Sequence, residues 1–185
     1  MDFDLHRDDA QLLLIDVQER FSAAIPAIAT GGACHRALSI LLQGCQLLRV
    51  PILISEQVPD KLGPTPSDLR AYAPEAPVLA KSMFSSGDDY AQREALATNE
   101  RPLVIIAGIE AHICVLATVD DLLRRGYRVV VAVDAIDSRM PANRDHAIAT
   151  MRQLGAACVP VESILFRLQR EAGVGAFREI SKLVR

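Results

Sequence analysis

Short apolar runs alternate along the chain with longer stretches in which apolar residues recur every three or four positions. Leu12 to Val17 has the length and composition of a buried strand, interrupted only by Asp16. Leu38, Leu41, Leu42, Cys45 and Leu48 then share one helical face, and Pro51 predicts the end of that helix before a second strand at Ile52 to Ile54. Val78 to Lys81 reads as a third strand, followed by a polar helix near Asp88 to Thr98. Pro102 introduces Leu103 to Ala107, the clearest central strand. After Gly108, the residues Val115, Leu116, Val119, Leu122 and Leu123 keep helical spacing up to Gly126, which suits a left-handed cap. Val129 to Val133 is a fifth strand. A helix from Asn143 to Leu154 closes at Gly155 and leads into a sixth strand at Ala157 to Val161, and the tail holds one or two short helices.

Strands separated mostly by helices, with connections long enough for right-handed crossovers, predict a parallel sheet. The expected architecture is a single Rossmann-like, three-layer doubly wound α/β domain over residues 1–185, with a six-stranded parallel sheet. Ser55 to Pro77 carries Pro59, Gly63, Pro64, Pro66, Pro74 and Pro77, and reads as one long loop. Long loops in compact domains usually serve function. Ligands of such sheets bind beyond the carboxyl ends of the strands, so side chains there carry the candidate chemistry.

Composition narrows the classes. Half of the 185 residues are hydrophobic and 23% are charged, which excludes intrinsic disorder. Lys and Arg total 20 against 23 Asp and Glu, and this net charge of −3 offers no electrostatic footprint for nucleic acid. No apolar run approaches the roughly 20 residues that span a bilayer, and the acidic start, Met1-Asp2-Phe3-Asp4, does not resemble a signal peptide. The expectation is a cytoplasmic protein with a small-molecule ligand and neither a membrane nor a nucleic-acid partner. Four cysteines, Cys34, Cys45, Cys114 and Cys158, lie far apart without C-x-x-C spacing, which argues against a zinc knuckle or a redox pair. Core packing is the ordinary role of each.

Three strand ends carry reactive groups: Asp16, Lys81 and, just beyond the fourth strand, Cys114. A cysteine at a helix start faces unpaired N–H groups and the positive end of the helix dipole, and a lysine nearby adds to that stabilisation of a thiolate. A carboxylate can take the thiol proton, and the same backbone donors can hold an oxyanion. Taken singly, Asp16 is equally a turn cap, Lys81 an exposed charge and Cys114 a core thiol. Other candidates are weaker. His112 lies two positions from Cys114 and cannot share its helical face, while His6, His35 and His146 are scattered. Gly173-Val174-Gly175 lacks the third glycine of a dinucleotide loop. Phe21 and Phe84 fit a pocket wall or the core, and Glu56 and Gln57 fit capping or substrate contact.

The chain resembles the isochorismatase-like cysteine hydrolases, which include nicotinamidases. The likeness rests on Leu13-Leu14-Ile15-Asp16-Val17-Gln18, on Lys81-Ser82-Met83-Phe84, and on Gly108-Ile109-Glu110-Ala111-His112-Ile113-Cys114-Val115-Leu116-Ala117-Thr118. Val133-Asp134-Ala135, Ser138-Arg139, Gly155-Ala156 and Glu162-Ser163-Ile164-Leu165-Phe166 extend it over nearly the whole chain. The resemblance implies Asp16 as base, Lys81 as orienting cation and Cys114 as nucleophile. It also implies a cis peptide joining Ile109 to Glu110 and an oxyanion hole from the backbone N–H groups of Glu110 and Cys114. Gln18, Phe21, Glu56 and Phe84 are the implied substrate contacts.

Nicotinamidases carry an Asp and histidines after the second strand as metal ligands. Here Ser55-Glu56-Gln57-Val58-Pro59-Asp60-Lys61-Leu62-Gly63-Pro64-Thr65 has no histidine, which implies the metal-free branch and no cofactor. The function implied is hydrolysis of a small amide or ester through a thioester, with Asp16→Asn and Cys114→Ala each abolishing turnover in an intact fold. The alternatives are a non-catalytic oligomeric binding scaffold, a vinyl-ether hydrolase of the isochorismate type, and a redox sensor at Cys114. The resemblance further implies a homo-oligomer, a dimer or larger, with a neighbouring subunit closing the pocket.

Overall fold

Alternation decides the architecture: in β1 (Ala10–Ile15), Leu12 and Leu14 point into one apolar layer while Leu13 and Ile15 point into the other. A strand buried on both faces needs helices on both sides, and parallel strands joined by crossovers supply them. The computed structural model describes residues 3–185, so Met1 and Asp2 of the acidic start lie outside the described residues. Five further strands complete the sheet: β2 (Ile52–Gln57), β3 (Val78–Lys81), β4 (Leu103–Ile109), β5 (Arg128–Asp137) and β6 (Ala157–Val159). All pairs are parallel, in the order β3-β2-β1-β4-β5-β6. The predicted six-stranded, three-layer fold is the one observed.

Among the described residues, six α-helices connect the strands, α1 (Ala33–Leu48), α2 (Pro59–Leu62), α3 (Ser67–Arg70), α4 (Tyr90–Thr98), α5 (Leu116–Arg124) and α6 (Pro141–Leu154), and two follow the last strand, α7 (Val161–Gln169) and α8 (Phe177–Leu183). Among the described residues no helix is long and apolar enough to cross a membrane. The apolar stripe of α1 packs with Ile164 and Leu165 of α7 on one face of the sheet. On the other face Val119 and Leu122 of α5 pack with Ile148 and Met151 of α6. From β1 the chain builds outward through β2 and β3, then returns to place β4 on the opposite side of β1. That reversal opens a crevice at the carboxyl ends of β1 and β4, the place where doubly wound sheets receive ligands.

Several element limits differ from the expected ones. β1 begins earlier and stops at Ile15, because Asp16 turns into the left-handed region with φ 52°. Arg49, not Pro51, ends α1, in a left-handed cap that returns the Val50 N–H to the Cys45 carbonyl. The Ser55 to Pro77 stretch is no single loop: its first residues extend β2, and α2 and α3 occupy much of the rest. Proline opens α2 at its first position, where the missing N–H has no role. β6 ends at Val159, because Pro160 caps α7 and Val161 already belongs to it.

Gly108 lets the crevice form. Its φ of +123° lies outside the range of L side chains, and a Cβ there would come 2.0 Å from the Ile15 carbonyl oxygen. Gly108 is the partner of Ile15, where the β1–β4 pairing ends, and beyond it β4 stays paired only with β5, in a shifted register. Gly108→Ala is therefore expected to destabilise the fold by about 3 kcal/mol or more. Urea unfolding of the variant checks this, and a midpoint equal to wild type would contradict it.

Candidate active site

The carboxyl ends of β1, β3 and β4 deliver the reactive groups, with β2 lying between β3 and β1. Ile15 pairs with Ser55 on one side and with Gly108 on the other, so Asp16, the next residue, sits at the rim between β2 and β4. Lys81 ends β3, two strands from β1, a backbone separation of about 10 Å. Its long stem crosses β2, and Nζ donates to Asp16 Oδ2 at 2.6 Å and to Gln57 Oε1 at 2.5 Å. The pair is out of solvent, with side-chain exposures of 0% for Lys81 and 1% for Asp16.

A buried ion pair persists only where hydrogen bonds replace the lost hydration of both charges. The Ser55 hydroxyl donates to Asp16 Oδ1 at 2.7 Å, so each carboxylate oxygen has a donor. Gln57 holds the ammonium with its oxygen and donates its amide N–H to the Ser82 carbonyl at 2.9 Å. Alternation along β2 puts Ser55 and Gln57 on the same face, toward the ion pair, and Glu56 on the other.

Cys114 belongs to the same crevice. The peptide bond between Ile109 and Glu110 is cis, and Ala111–Val115 forms one π-helical turn that leads into α5. Cys114 sits in this turn, not in the first turn of a regular α-helix, and is 7% exposed. Thr118 ties the turn to the loop after β3: its hydroxyl donates to the Cys114 carbonyl at 2.7 Å and accepts from the Ser86 N–H at 3.0 Å. Glu110, also buried, accepts from the Arg139 N–H at 3.0 Å and pairs with the Arg139 guanidinium, itself 59% exposed.

The electrostatics reverse one expectation. A helix start beside a lysine predicts a stabilised thiolate, yet the Cys114 thiol is pushed up to about 12. Burial is the largest cause, the Asp16 carboxylate the next, and Lys81 offsets only part of it. Cys34 and Cys45 are also raised to about 12, chiefly by burial, so the value alone does not single out Cys114. Charged neighbours act on Cys34 as well as on Cys114, but only at Cys114 does a carboxylate, Asp16, also act as a hydrogen-bond acceptor toward the thiol. Asp16 influences it both by charge and as a proton acceptor, although no fully formed hydrogen bond leaves Sγ among the described residues. The resting site is a neutral thiol near a carboxylate held by a lysine.

The remaining candidates divide. Gln18 is fully buried: its amide donates to the Gln57 and Gly63 carbonyls and its oxygen accepts from the Gln57 N–H, clamping β2 to the turn after α2. Glu56 accepts from the N–H and hydroxyl of Thr65. Phe21 packs against the core, and Phe84 stands 63% exposed on the loop after β3. His112 bonds Ser138 at 3.0 Å, away from the thiol. Ser55 and Gln92, which complete the hydrogen bonding around Asp16, escaped the sequence reading; the only signal was a polar residue in a strand and another in a helix.

The end of β2 does not suit a divalent cation. Ser55, Glu56 and Gln57 are all engaged as described, and no three His, Cys, Asp or Glu side chains cluster for a metal among the described residues. Concavities of about 400 and 510 Å³ flank Arg49 at the amino ends of the strands, opposite the crevice, and contain none of these groups.

Below its pKa a thiol gains thiolate about tenfold per pH unit. Alkylation of Cys114 by iodoacetamide should therefore keep rising through pH 9, and a plateau near neutral pH would contradict the raised thiol. Asp16→Asn removes an influence that raises the thiol and leaves Lys81 in place, so it should move this profile to lower pH. Peptide mass spectrometry across a pH series checks both. The ion pair also revises the expectation of an intact Asp16→Asn fold: Lys81 is left buried and unpaired, which costs about 3–5 kcal/mol.

Residues 10–163 match the family profile of the isochorismatase domain. The mouse isochorismatase domain-containing protein 2A is 39% identical over 174 residues, covering 94% of this chain and 82% of the mouse protein. A Caenorhabditis elegans structure described as the MAR1 ribonuclease is 31% identical, with a TM-score of 0.88 over 97% of this chain and 91% of that one. An octameric hydrolase of unknown specificity from Escherichia coli shares the fold, with a TM-score of 0.88, 22% identity, and coverage of 100% and 88%. A profile match over most of the chain and a relative of this identity place the protein among hydrolases, and the chain belongs to the isochorismatase-like family of cysteine hydrolases.

Proposed function

We propose that this protein hydrolyses a small amide or ester through a thioester on Cys114. The supporting observation is the Cys114 thiol set against a carboxylate whose two oxygens are held by Lys81 and Ser55. Asp16 takes the Sγ proton as sulfur attacks the carbonyl carbon. The backbone N–H groups of Glu110 and Cys114 receive the negative charge on the carbonyl oxygen. As the tetrahedral adduct collapses, the carbon–nitrogen or carbon–oxygen bond breaks and Asp16 returns the proton to the leaving amine or alcohol. Asp16 then takes a proton from water, the hydroxyl attacks the thioester, and the thiol leaves reprotonated with release of the acid. Lys81 stays charged throughout and keeps the carboxylate aimed. A thiol neutral at rest suits this cycle, because the thiolate forms only with an electrophile in place.

Exposed apolar side chains at the crevice edge support an oligomer. Met83 and Phe84 follow β3 and Met140 follows β5, all exposed, and the Escherichia coli hydrolase of the same fold is an octamer. Sedimentation at micromolar concentration should give a dimer or larger; a single monomer species would overturn this part.

A panel of small amides and esters tests the chemistry. Cys114→Ala should lower turnover at least about a thousandfold, and rapid quenching of wild type should show the acyl mass on the Cys114 peptide. Full activity in Cys114→Ala, on an amide, an ester or a vinyl ether, would sink the proposal.

A further inference from the structure

We infer that Gln92 and Ser55 act as positioning residues that set the proton and the plane of the Asp16 carboxylate, an inference that rests on the proposed cysteine chemistry. Gln92 lies on α4, the polar helix after β3, yet it is fully buried. Its Nε2 donates to the Leu79 carbonyl at 3.0 Å and to Ser55 Oγ at 3.1 Å. The Leu79 carbonyl only accepts, so the amide nitrogen must face this way and the orientation of the side chain is settled. Ser55 Oγ has one proton. Since Gln92 can only donate to it, that proton goes to Asp16 Oδ1, where the bond measures 2.7 Å.

The relay thus runs from helix to strand to site in one direction. Lys81 fixes Oδ2 and the relay fixes Oδ1, so the carboxylate cannot rotate about its bond to Cβ without losing a charge-assisted hydrogen bond. The lone pairs left over are the ones available to the thiol. A general base contributes only in the right geometry, and small misplacements are costly in rate.

Stability alone does not account for Gln92. Its Oε1 is buried without a protein partner among the described residues. A buried acceptor in that condition is unfavourable, and an unbranched apolar side chain would fill the same space without it. Keeping an amide there makes sense if its N–H is needed to orient Ser55. The Asp89 carboxylate starts α4 by accepting from the Gln92 N–H at 3.1 Å, which holds the helix start and the relay residue together. Gln92 thus links α4 to the hydrogen bonds around Asp16.

The experiment uses p-nitrophenyl acetate as acyl donor, followed as p-nitrophenol release and as acetyl mass on the Cys114 peptide. Ser55→Ala should lower kcat about 10- to 100-fold, the range expected for losing a hydrogen bond to a charged group, and Gln92→Met, which removes the neutral bond that orients Ser55, about 3- to 10-fold. KM should stay within about twofold, since neither residue is asked to bind substrate. Ser55→Thr, which keeps the hydroxyl, should recover most of the rate. The melting temperature of Gln92→Met should equal or exceed that of wild type, a combination that a merely structural role does not produce. Wild-type kcat in both deletion variants overturns the relay. So does a loss of rate in Gln92→Met that only tracks a lower melting temperature. Failure of the underlying chemistry is distinct: wild type would then leave Cys114 unacetylated, or Cys114→Ala would match its rate.

Discussion

The Asp16–Lys81 ion pair is the constraint around which the carboxyl edge of the sheet is arranged. Two opposite charges with almost no solvent contact are unfavourable in a protein interior unless every remaining donor and acceptor is met. The surroundings follow from that requirement. Ser55 and Gln57 must both face the pair, which fixes the phase of β2, and Lys81 must end β3 in register with Gln57. Gln18 must hold the Gln57 backbone, or the residue that supports the ammonium would drift. Even the short helix after β2 is drawn in, because Gln18 also binds the Gly63 carbonyl.

The state of the thiol follows from the same pair. A lysine near a cysteine ordinarily favours thiolate, but a lysine already neutralised at 2.6 Å by a carboxylate has little field left to offer. Burial does most to keep the thiol protonated, and the carboxylate adds to it directly. The outcome is a buried thiol kept protonated near a carboxylate. This also separates Cys114 from Cys45, whose thiol is raised by burial alone with no charge beside it. Burial is the main cause in both, but only Cys114 of the two has charged groups acting on it.

Backbone geometry completes the crevice. Gly108, the partner of Ile15, and Asp16, the next residue after Ile15, both take positive φ, so β1 and β4 part at this level. A side chain at Gly108 would strike the Ile15 carbonyl, and the close approach it permits brings the Cys114 turn alongside Asp16. The π-helical turn then hands the chain to α5, with Thr118 binding it to the loop that follows Lys81. The three reactive groups come from three separate strand ends, with Lys81 and Asp16 hydrogen-bonded to each other and the Cys114 turn held through its backbone.

Much of this was legible in the order of residues. Apolar runs such as Leu103 to Ala107 and the helical face of Leu38 to Leu48 express burial on two sides or on one, which is a local property, so the six strands and their crossovers follow from periodicity. The topology in turn brings Asp16, Lys81 and Cys114 to one edge, because the carboxyl ends of parallel strands all lie on the same side. Periodicity could not resolve the Ser55 to Pro77 stretch, where α2 and α3 are each four residues long and too short to show a repeat. Nor could it reveal that Gln18 and Gln92 face inward, since a polar residue is assigned outward until a buried partner is known. The acidity of Cys114 was beyond the sequence for a related reason: the residue types predict a stabilised thiolate, while the distances and the exclusion of water favour the thiol. Residue order determined which groups meet; the tertiary structure decided their charge, because solvation and separation exist only once the chain is folded.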